Sequence, residues 1–135
     1  MIKYWIGIAS ENHVKYGVKE GFCQLCHGKN APLNRMKEGD WIIYYSPKET
    51  LETKVPCQKF TAIGKVLSGV AYQVELYPGF MPYRKNVSYL EHIVPVPLSL
   101  ISKEPLWQEY RSRLRFGHFE ISKELFDILA GMMKS

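Results

Sequence analysis

Long apolar runs are missing from this 135-residue chain. The longest apolar windows cover residues 41–45 and 93–101, and Pro95 and Pro97 interrupt the second window. A transmembrane helix needs about 20 predominantly apolar residues to span the bilayer core. The sequence therefore predicts no membrane partner.

The amino terminus also lacks the pattern of a secretory signal peptide. Met1 leads directly into a strand-like segment, without a basic stretch before an apolar core and without a small-residue cleavage site. We therefore expect a cytoplasmic protein. The chain has three cysteines, Cys23, Cys26 and Cys57, and we expect free thiols because the cytoplasm is reducing.

Signatures of catalysis are equally scarce. The chain has no glycine-rich phosphate loop, and its carboxylates are scattered, mostly beside lysines. Cys23 or Cys26 could pair with His27, His92 or His118, but the sequence identifies neither an activating partner nor an oxyanion donor. We expect a protein without enzyme activity, and a small nucleotide-processing enzyme is the alternative.

The overall composition is that of a folded domain. Hydrophobic residues make up 46% of the chain and charged residues 23%, which separates it from disordered proteins. At this length we expect one domain, residues 1–135, with a single core. The net charge of +5 is compatible with a polyanionic partner but does not require one.

Hydrophobic periodicity and turn residues predict an α+β fold with five or six strands and peripheral helices. The predicted strands cover residues 3–9, 41–45, 60–70 with a continuation over 71–76, 81–87 and 89–96. The predicted helices cover residues 11–19, 31–36, 106–114 and 121–132. Residues 77–79 are predicted to form a turn and residues 116–119 a loop.

Positive charge is frequent in the last third of the chain. Arg111, Arg113 and Arg115 alternate with other residues. They would share one face of an extended strand but would spread around a helix. Glu104, Glu109 and Glu120 interrupt this basic segment.

The segment from Cys23 to His27 has the Cys-x-x-Cys-His spacing that attaches haem c through two thioethers and an imidazole. The missing export signal and the strand-rich surroundings argue against haem. Cys57 could complete a zinc site, but the chain lacks a second close pair of ligands. We predict neither a metal nor a cofactor, and a metal- or haem-binding protein using Cys23, Cys26 and His27 is the alternative.

Aromatic residues lie near the predicted strand ends and loop edges, mixed with amides, hydroxyls and cations. A flat base held between aromatic faces, with polar groups reading its edge, needs this mixture. The opposing interpretation is that these aromatics fill the core, which we expect for Trp5, Trp41 and Trp107.

Several segments, in this order and spacing, resemble the EVE domain, which belongs to the PUA-like group together with the YTH readers of methylated adenine. The segments cover residues 3–10, 21–29, 33–40, 44–46, 60–66, 83–84 and 114–122. The resemblance implies a PUA-like pseudo-barrel with a mixed, curved sheet. It also implies recognition of a modified base in nucleic acid, most often a modified cytosine in DNA, with RNA not excluded.

The resemblance further implies a ligand cleft and the residues that form it. The carried-over positions are Ser10 and Asn12 at the edge, Phe22 and Gln24 on one wall, Tyr44 and Ser46 on the floor, and Arg115, His118 and Phe119 closing the cleft. Outside this pocket, we expect Lys103, Arg111 and Arg113 to contact the nucleic-acid backbone.

Overall fold

The computed structural model of this chain describes residues 1–134 and is organised around one sheet. The strands are β1 (Tyr4–Ile8), β2 (Phe22–Cys23), β3 (Trp41–Lys48), β4 (Pro56–Val66), β5 (Tyr72–Gln73), β6 (Tyr83–Tyr89), β7 (Val96–Pro97) and β8 (His118–Ile121). The helices are α1 (Glu11–Glu20), α2 (Asn30–Arg35), α3 (Pro105–Gln108) and α4 (Lys123–Met133). Short 3-10 turns occupy Cys26–Gly28, Leu98–Leu100 and Arg111–Phe116.

The sheet is mixed and curved. Six strands form a continuous path in the order β2-β6-β4-β3-β1-β8, and the two-residue strands β5 and β7 attach to β6 and β4. β1 is parallel to β3, whereas β3 and β4 are antiparallel, with register shifts between Tyr44 and Tyr45 and between Ser46 and Lys48. Such irregularities bend a strand and increase its twist. The predicted mixed, curved sheet with peripheral helices is confirmed.

Alternation along the strands places apolar side chains on both faces of the sheet. Ile6 and Ile43 belong to a core that α3 and α4 cover, with Trp107 and Leu125 among its buried members. The residues one position earlier, Trp5 and Ile42, belong to a second core on the other face, which α1 and α2 cover. A sheet covered on both faces opens to ligands mainly at its strand ends, where the candidate site lies.

A buried carboxylate fixes the start of β1 beside the start of β3. Asp40 accepts hydrogen bonds from the backbone N–H of Lys3 at 3.0 Å, from Nε1 of Trp5 at 3.0 Å and from the backbone N–H of Lys37 at 2.9 Å. Satisfied in this way, a buried carboxylate avoids the large desolvation cost of an unpaired charge. These bonds hold the first strand in register and so position its carboxyl end at the cleft.

Some predicted boundaries are wrong, for physical reasons. The predicted strand over residues 60–70 spans Pro56–Val66, and its predicted continuation over 71–76 is reduced to β5. Of the predicted strand over residues 89–96, Tyr89 belongs to β6 and Val96 to β7. Prolines 95 and 97 flank Val96 and have no N–H for a sheet ladder.

The region after Trp107 also differs from the prediction. The predicted helix over residues 106–114 is divided into α3 and the 3-10 turn Arg111–Phe116, which leaves its three arginines exposed around the turn. Gly117 ends this turn with a φ of 79°, a backbone conformation that glycine adopts without steric cost. His118 and Phe119, predicted in a loop, instead begin β8 beside β1.

Candidate functional site

A cleft of about 760 Å³ lies at the carboxyl end of β1. Its walls come from the chain after β1 and the start of α1, the turn Cys26–Gly28, the end of β3 with the following loop, the hairpin between β5 and β6, and the 3-10 turn Arg111–Phe116. A smaller cavity of about 310 Å³ adjoins it and shares Ser10, His13, Leu51 and Glu52 with it. The cleft has the size of an ordinary small-molecule site.

Three of the predicted site residues, Ser10, Gln24 and Arg115, line the cleft, and Asn12 lines the adjoining cavity. Ser10 precedes α1, but its hydroxyl makes no capping bond to the helix and donates to Oδ1 of Asn12 at 2.8 Å. The hydroxyl oxygen keeps its acceptor capacity. The structure thus brings these four residues to one region.

Gln24 is held at the cleft wall by interactions of both its backbone and its side chain. The hydroxyl of Tyr44 lies 3.3 Å from the Gln24 backbone N–H and donates to the Gln24 carbonyl at 3.2 Å. Nε of Arg84 donates to the side-chain oxygen Oε1 at 3.0 Å. Because that oxygen faces a donor, the amide nitrogen is the group that remains available to donate to a ligand.

Arg84 is a buried cation beside this wall. The guanidinium carbon lies 3.9 Å from the ring centroid of Phe22 and 5.5 Å from that of Tyr16, and the residue is 7% exposed. Within residues 1–134, no carboxylate forms a salt bridge with it. Its charge is therefore stabilised by the two aromatic faces and the Gln24 oxygen.

His13, another cleft residue, is kept neutral by its surroundings. Burial lowers its pKa from the usual value near 6.5, and the positive charge of Arg84 lowers it further, although a hydrogen bond with the Gln24 backbone acts in the opposite direction. The imidazole is therefore uncharged at neutral pH. Its one N–H is engaged by the Gln24 backbone, and its other nitrogen can accept a hydrogen bond. The sequence offered no signal that would have selected His13.

Phe22, predicted on the cleft wall, lies in the interior instead. It is 3% exposed, with the Arg84 guanidinium over its ring, and it does not line the cleft. Tyr44, predicted on the floor, is 2% exposed and lies beneath Gln24. Both rings support the cleft wall from the interior. Because side chains along β3 alternate between the two faces of the sheet, Tyr44 points into the core that α1 and α2 cover.

Ser46, His118 and Phe119 are also buried and lie outside the cleft lining. The hydroxyls of Ser46 and Thr61 are 2.8 Å apart and form a hydrogen bond between β3 and β4. Phe119 packs in the core beneath α4, because β8 directs it to that face.

His118 points to the opposite face of β8 and stacks on Trp5, with ring centroids 4.7 Å apart and an interplanar angle of 11°. Neither ring nitrogen has a hydrogen-bond partner among the described residues. Burial lowers the pKa of His118 to about 4, and the charge of Arg35 adds to the effect. His118 is therefore a neutral core side chain at physiological pH.

The predicted backbone-contacting residues Lys103, Arg111 and Arg113 are exposed and lie outside the cleft lining. The guanidinium of Arg113 lies 5.0 Å from the ring centroid of Tyr110. Arg115, on the same 3-10 turn, lies 5.0 Å from the ring centroid of Phe116 and reaches the cleft. The turn therefore places one arginine at the cleft and two on the outer surface.

The cysteine-histidine segment does not converge on a metal. Cys23 is buried, and burial raises the pKa of its thiol to about 12. The thiol of Cys26 donates a long hydrogen bond of 3.8 Å to the Phe116 carbonyl. All three cysteines are free thiols. In the described part of the chain, no three His, Cys, Asp or Glu side chains are placed to hold a metal ion. Cys26 and His27 are instead cleft-lining residues with positive φ angles of 50° and 62°.

Sequence reasoning missed the apolar side of the cleft. The large apolar and aromatic residues that line the cleft there are Leu51, Leu76, Tyr77 and Phe80. The prediction of a turn at Tyr77-Pro78-Gly79 was a signal for a hairpin tip, but the sequence does not show that this tip lines the same cleft as residues 8–10.

A comparison with protein families identifies the chain. The model of the EVE domain matches residues 3–132. The chain belongs to the EVE domain family. Among curated relatives, a UPF0310 protein of Helicobacter hepaticus is 54% identical over 98% of this chain and 97% of its own length. A UPF0310 protein of Streptococcus sanguinis is 49% identical over 99% of this chain and 95% of its own length.

Solved structures support the fold at much lower identity. A hypothetical protein from Leishmania major is 14% identical and superposes with a TM-score of 0.65, covering 98% of this chain and 94% of its own. The NMR structure of a protein from Rhodopseudomonas palustris is 18% identical, with a TM-score of 0.61, covering 98% and 93%. The likeness to these two structures shows the fold alone. The EVE and PUA-like family commonly binds nucleic acids, and EVE domains are generally binding modules. Among the described residues, no helix has the length and apolarity needed to cross a membrane.

Proposed function

We propose that this EVE domain is a non-catalytic nucleic-acid-binding module that captures a modified base in the cleft. The observation that carries the proposal is the fixed Gln24 side chain at the wall of a cleft of about 760 Å³. Its oxygen is held by Arg84 and its backbone by Tyr44, so the free amide N–H groups are directed by interactions already present. A donor oriented before binding costs little entropy when the ligand arrives.

The polar wall of the cleft suits the edge of a base. Gln24 offers donors, Ser10 offers an acceptor oxygen, and neutral His13 offers an acceptor nitrogen, because its one N–H is engaged by the Gln24 backbone. Bases taken out of the helical stack are read by hydrogen bonds to their Watson–Crick edge and by stacking on apolar side chains. A modification would be distinguished by the space it fills and by the polar groups it meets.

The charges at and around the cleft suit a polyanion. Arg115 and Lys48 line the cleft, opposed there by Glu52. We expect the exposed Arg111 and Arg113 to contact phosphates together with Lys103, because cations outside the base pocket contribute affinity without sequence preference.

The test is a binding screen with short oligonucleotides. The probes are DNA carrying cytosine, 5-methylcytosine or 5-hydroxymethylcytosine at one position, and RNA carrying adenine, N6-methyladenine, cytosine or 5-methylcytosine. We expect one modified probe to bind more tightly than its unmodified counterpart. Equal affinity for every modified and unmodified pair would refute base selection, and no binding to any probe would refute the whole proposal.

Gln24→Ala should weaken binding of the preferred probe by roughly two- to tenfold, the worth of one hydrogen bond. Its matched control is Gln108→Ala, because Gln108 is exposed and its amide nitrogen bonds to the Ser102 carbonyl, away from the cleft lining. Melting temperatures should accompany both measurements. An unchanged affinity for Gln24→Ala would contradict the assignment of Gln24 as the edge reader.

A further inference from the structure

Part of the cleft is formed by a hairpin arm, residues 72–83, that extends from the start of β6. β5 pairs with the start of β6 through Tyr72 opposite Arg84 and Gln73 opposite Tyr83. Beyond that pairing, the backbone N–H of Val74 donates to the Pro82 carbonyl at 3.1 Å, and Nε2 of Gln73 donates to the Met81 carbonyl at 3.1 Å. The arm is therefore bonded along its length although it buries few apolar side chains.

The tip of the arm, residues 76–80, has a defined turn. The N–H of Leu76 donates to the Phe80 carbonyl at 3.1 Å, and the N–H of Phe80 donates to the Tyr77 carbonyl at 2.9 Å. Gly79 has a φ of 91°, which a residue with a side chain rarely adopts. The rings of Tyr77 and Phe80 lie 5.2 Å apart with an interplanar angle of 36°, a tilted aromatic pair.

This tip presents apolar surface to the cleft. Leu76, Tyr77 and Phe80 all line it, and Tyr77 is 61% exposed while Leu76 is 44% exposed. The same cleft is also lined by two polar side chains from other segments, Gln24 and Arg115. The cleft thus combines aromatic and polar lining, which matches a base with its flat face and its hydrogen-bonding edge.

The other aromatic candidates have no free face at the cleft. Phe22 carries the Arg84 guanidinium at 3.9 Å, and Tyr44 uses its hydroxyl to bond Gln24. Phe119 is buried beneath α4. Stacking on any of these rings would require unpacking of the core, whereas Tyr77 is accessible as it stands.

We propose that the arm, through Tyr77 supported by Phe80, supplies the stacking surface for the captured base. This inference rests on the proposed function, since it names the residues that contact the face of the same base. Arg84 links the two sides of the site: it pairs with Tyr72 at the root of the arm and its side chain holds Gln24.

The experiment measures affinity for the preferred modified oligonucleotide of the screen. Tyr77→Ala should weaken binding by roughly five- to 150-fold, the range found when an aromatic stacking partner of a base is removed. Tyr77→Phe should bind nearly as well as the wild type, because the ring is kept, and Tyr77→Leu should not restore binding, because an aliphatic side chain has no π face. The matched control is Tyr72→Ala, which removes a ring from the same arm outside the cleft lining.

A second measurement covers the possibility that an alanine variant disturbs the arm. Tyr77→Trp places a fluorescent ring at the tip, and a base stacked on it should quench its emission after subtraction of the wild-type signal. Retained binding with unquenched emission would overturn the stacking assignment. Unchanged affinity for both Tyr77→Ala and Phe80→Ala, together with weakened binding by Gln24→Ala, would overturn the role of the arm and leave the proposed function standing. Absence of modification-dependent binding in the wild type would refute both.

Discussion

Removal of the Phe22 ring tests whether this side chain supports the site from the interior or contacts the ligand. The ring is 3% exposed, with Arg84 over one face and Tyr16 in an edge contact at 5.3 Å between centroids. Phe→Ala changes in a packed core cost about 3–5 kcal/mol through lost transfer energy and the cavity that remains. We expect Phe22→Ala to lower the free energy of unfolding by that amount.

The corresponding loss of melting temperature is roughly 9–25 °C, because a chain of this size loses about 3–5 °C for each kcal/mol. Part of the loss comes from Arg84, whose buried charge would then lie over an empty space. A double-mutant cycle of Phe22→Ala with Arg84→Met isolates that part, which we expect to be about 0.5–2 kcal/mol. Urea denaturation followed by tryptophan fluorescence gives both quantities.

Phe116→Ala is the matched control. Phe116 also lies under an arginine, with the Arg115 guanidinium 5.0 Å from its ring centroid, but it is 58% exposed. Its removal should change the free energy of unfolding by no more than about 0.5 kcal/mol. A Phe22→Ala protein that melts within a few degrees of the wild type would refute the packing argument. If such a protein also lost oligonucleotide affinity, Phe22 would be a ligand contact as the sequence had indicated.

The sequence is sufficient to predict the family, the fold class and the approximate place of the cleft. The order of segments from Tyr4 through Gly39-Asp40 to Gly117 carries the resemblance. The structure places Ser10, Gln24 and Arg115 at one cleft, and their role as ligand contacts stays a prediction. These positions lie just after β1, just after β2 and at the end of the Arg111–Phe116 turn. Binding residues commonly lie on the loops that follow the rigid strands, so a site just beyond the strand ends is the expected one.

The burial of individual aromatic rings could not be predicted from the sequence. Alternation along β3 separates Tyr44 from Tyr45, but both faces of the sheet are covered, so both rings are buried. Exposure of Tyr77 depends on a hairpin that leaves the sheet and carries no core of its own. A single sequence records the residue types on that hairpin, whereas the placement of the hairpin and residues 8–10 around one cleft depends on the tertiary fold.

Two further predictions concern charge. Two variants, Lys103→Ala and Arg113→Ala, should each weaken oligonucleotide binding equally for modified and unmodified probes and should reduce the salt dependence of binding. Titrations at several salt concentrations would measure both effects. A loss of affinity that differs strongly between modified and unmodified probes would place the residue in the pocket instead. His118 should make the fold sensitive to acid, because burial lowers its folded-state pKa to about 4 from an unfolded value near 6.5. The unfolded chain then binds a proton that the folded chain excludes, so the free energy of unfolding falls as the pH drops from 6.5 to 4. The fall due to His118 is about 3 kcal/mol in total, and it is absent above pH 6.5. The variant His118→Phe keeps a ring against Trp5 and removes two unpartnered nitrogens. The unfolding free energy of this variant should therefore fall less between pH 6.5 and pH 4 than that of the wild type. An identical pH dependence for the two proteins would show that His118 is not the group that titrates.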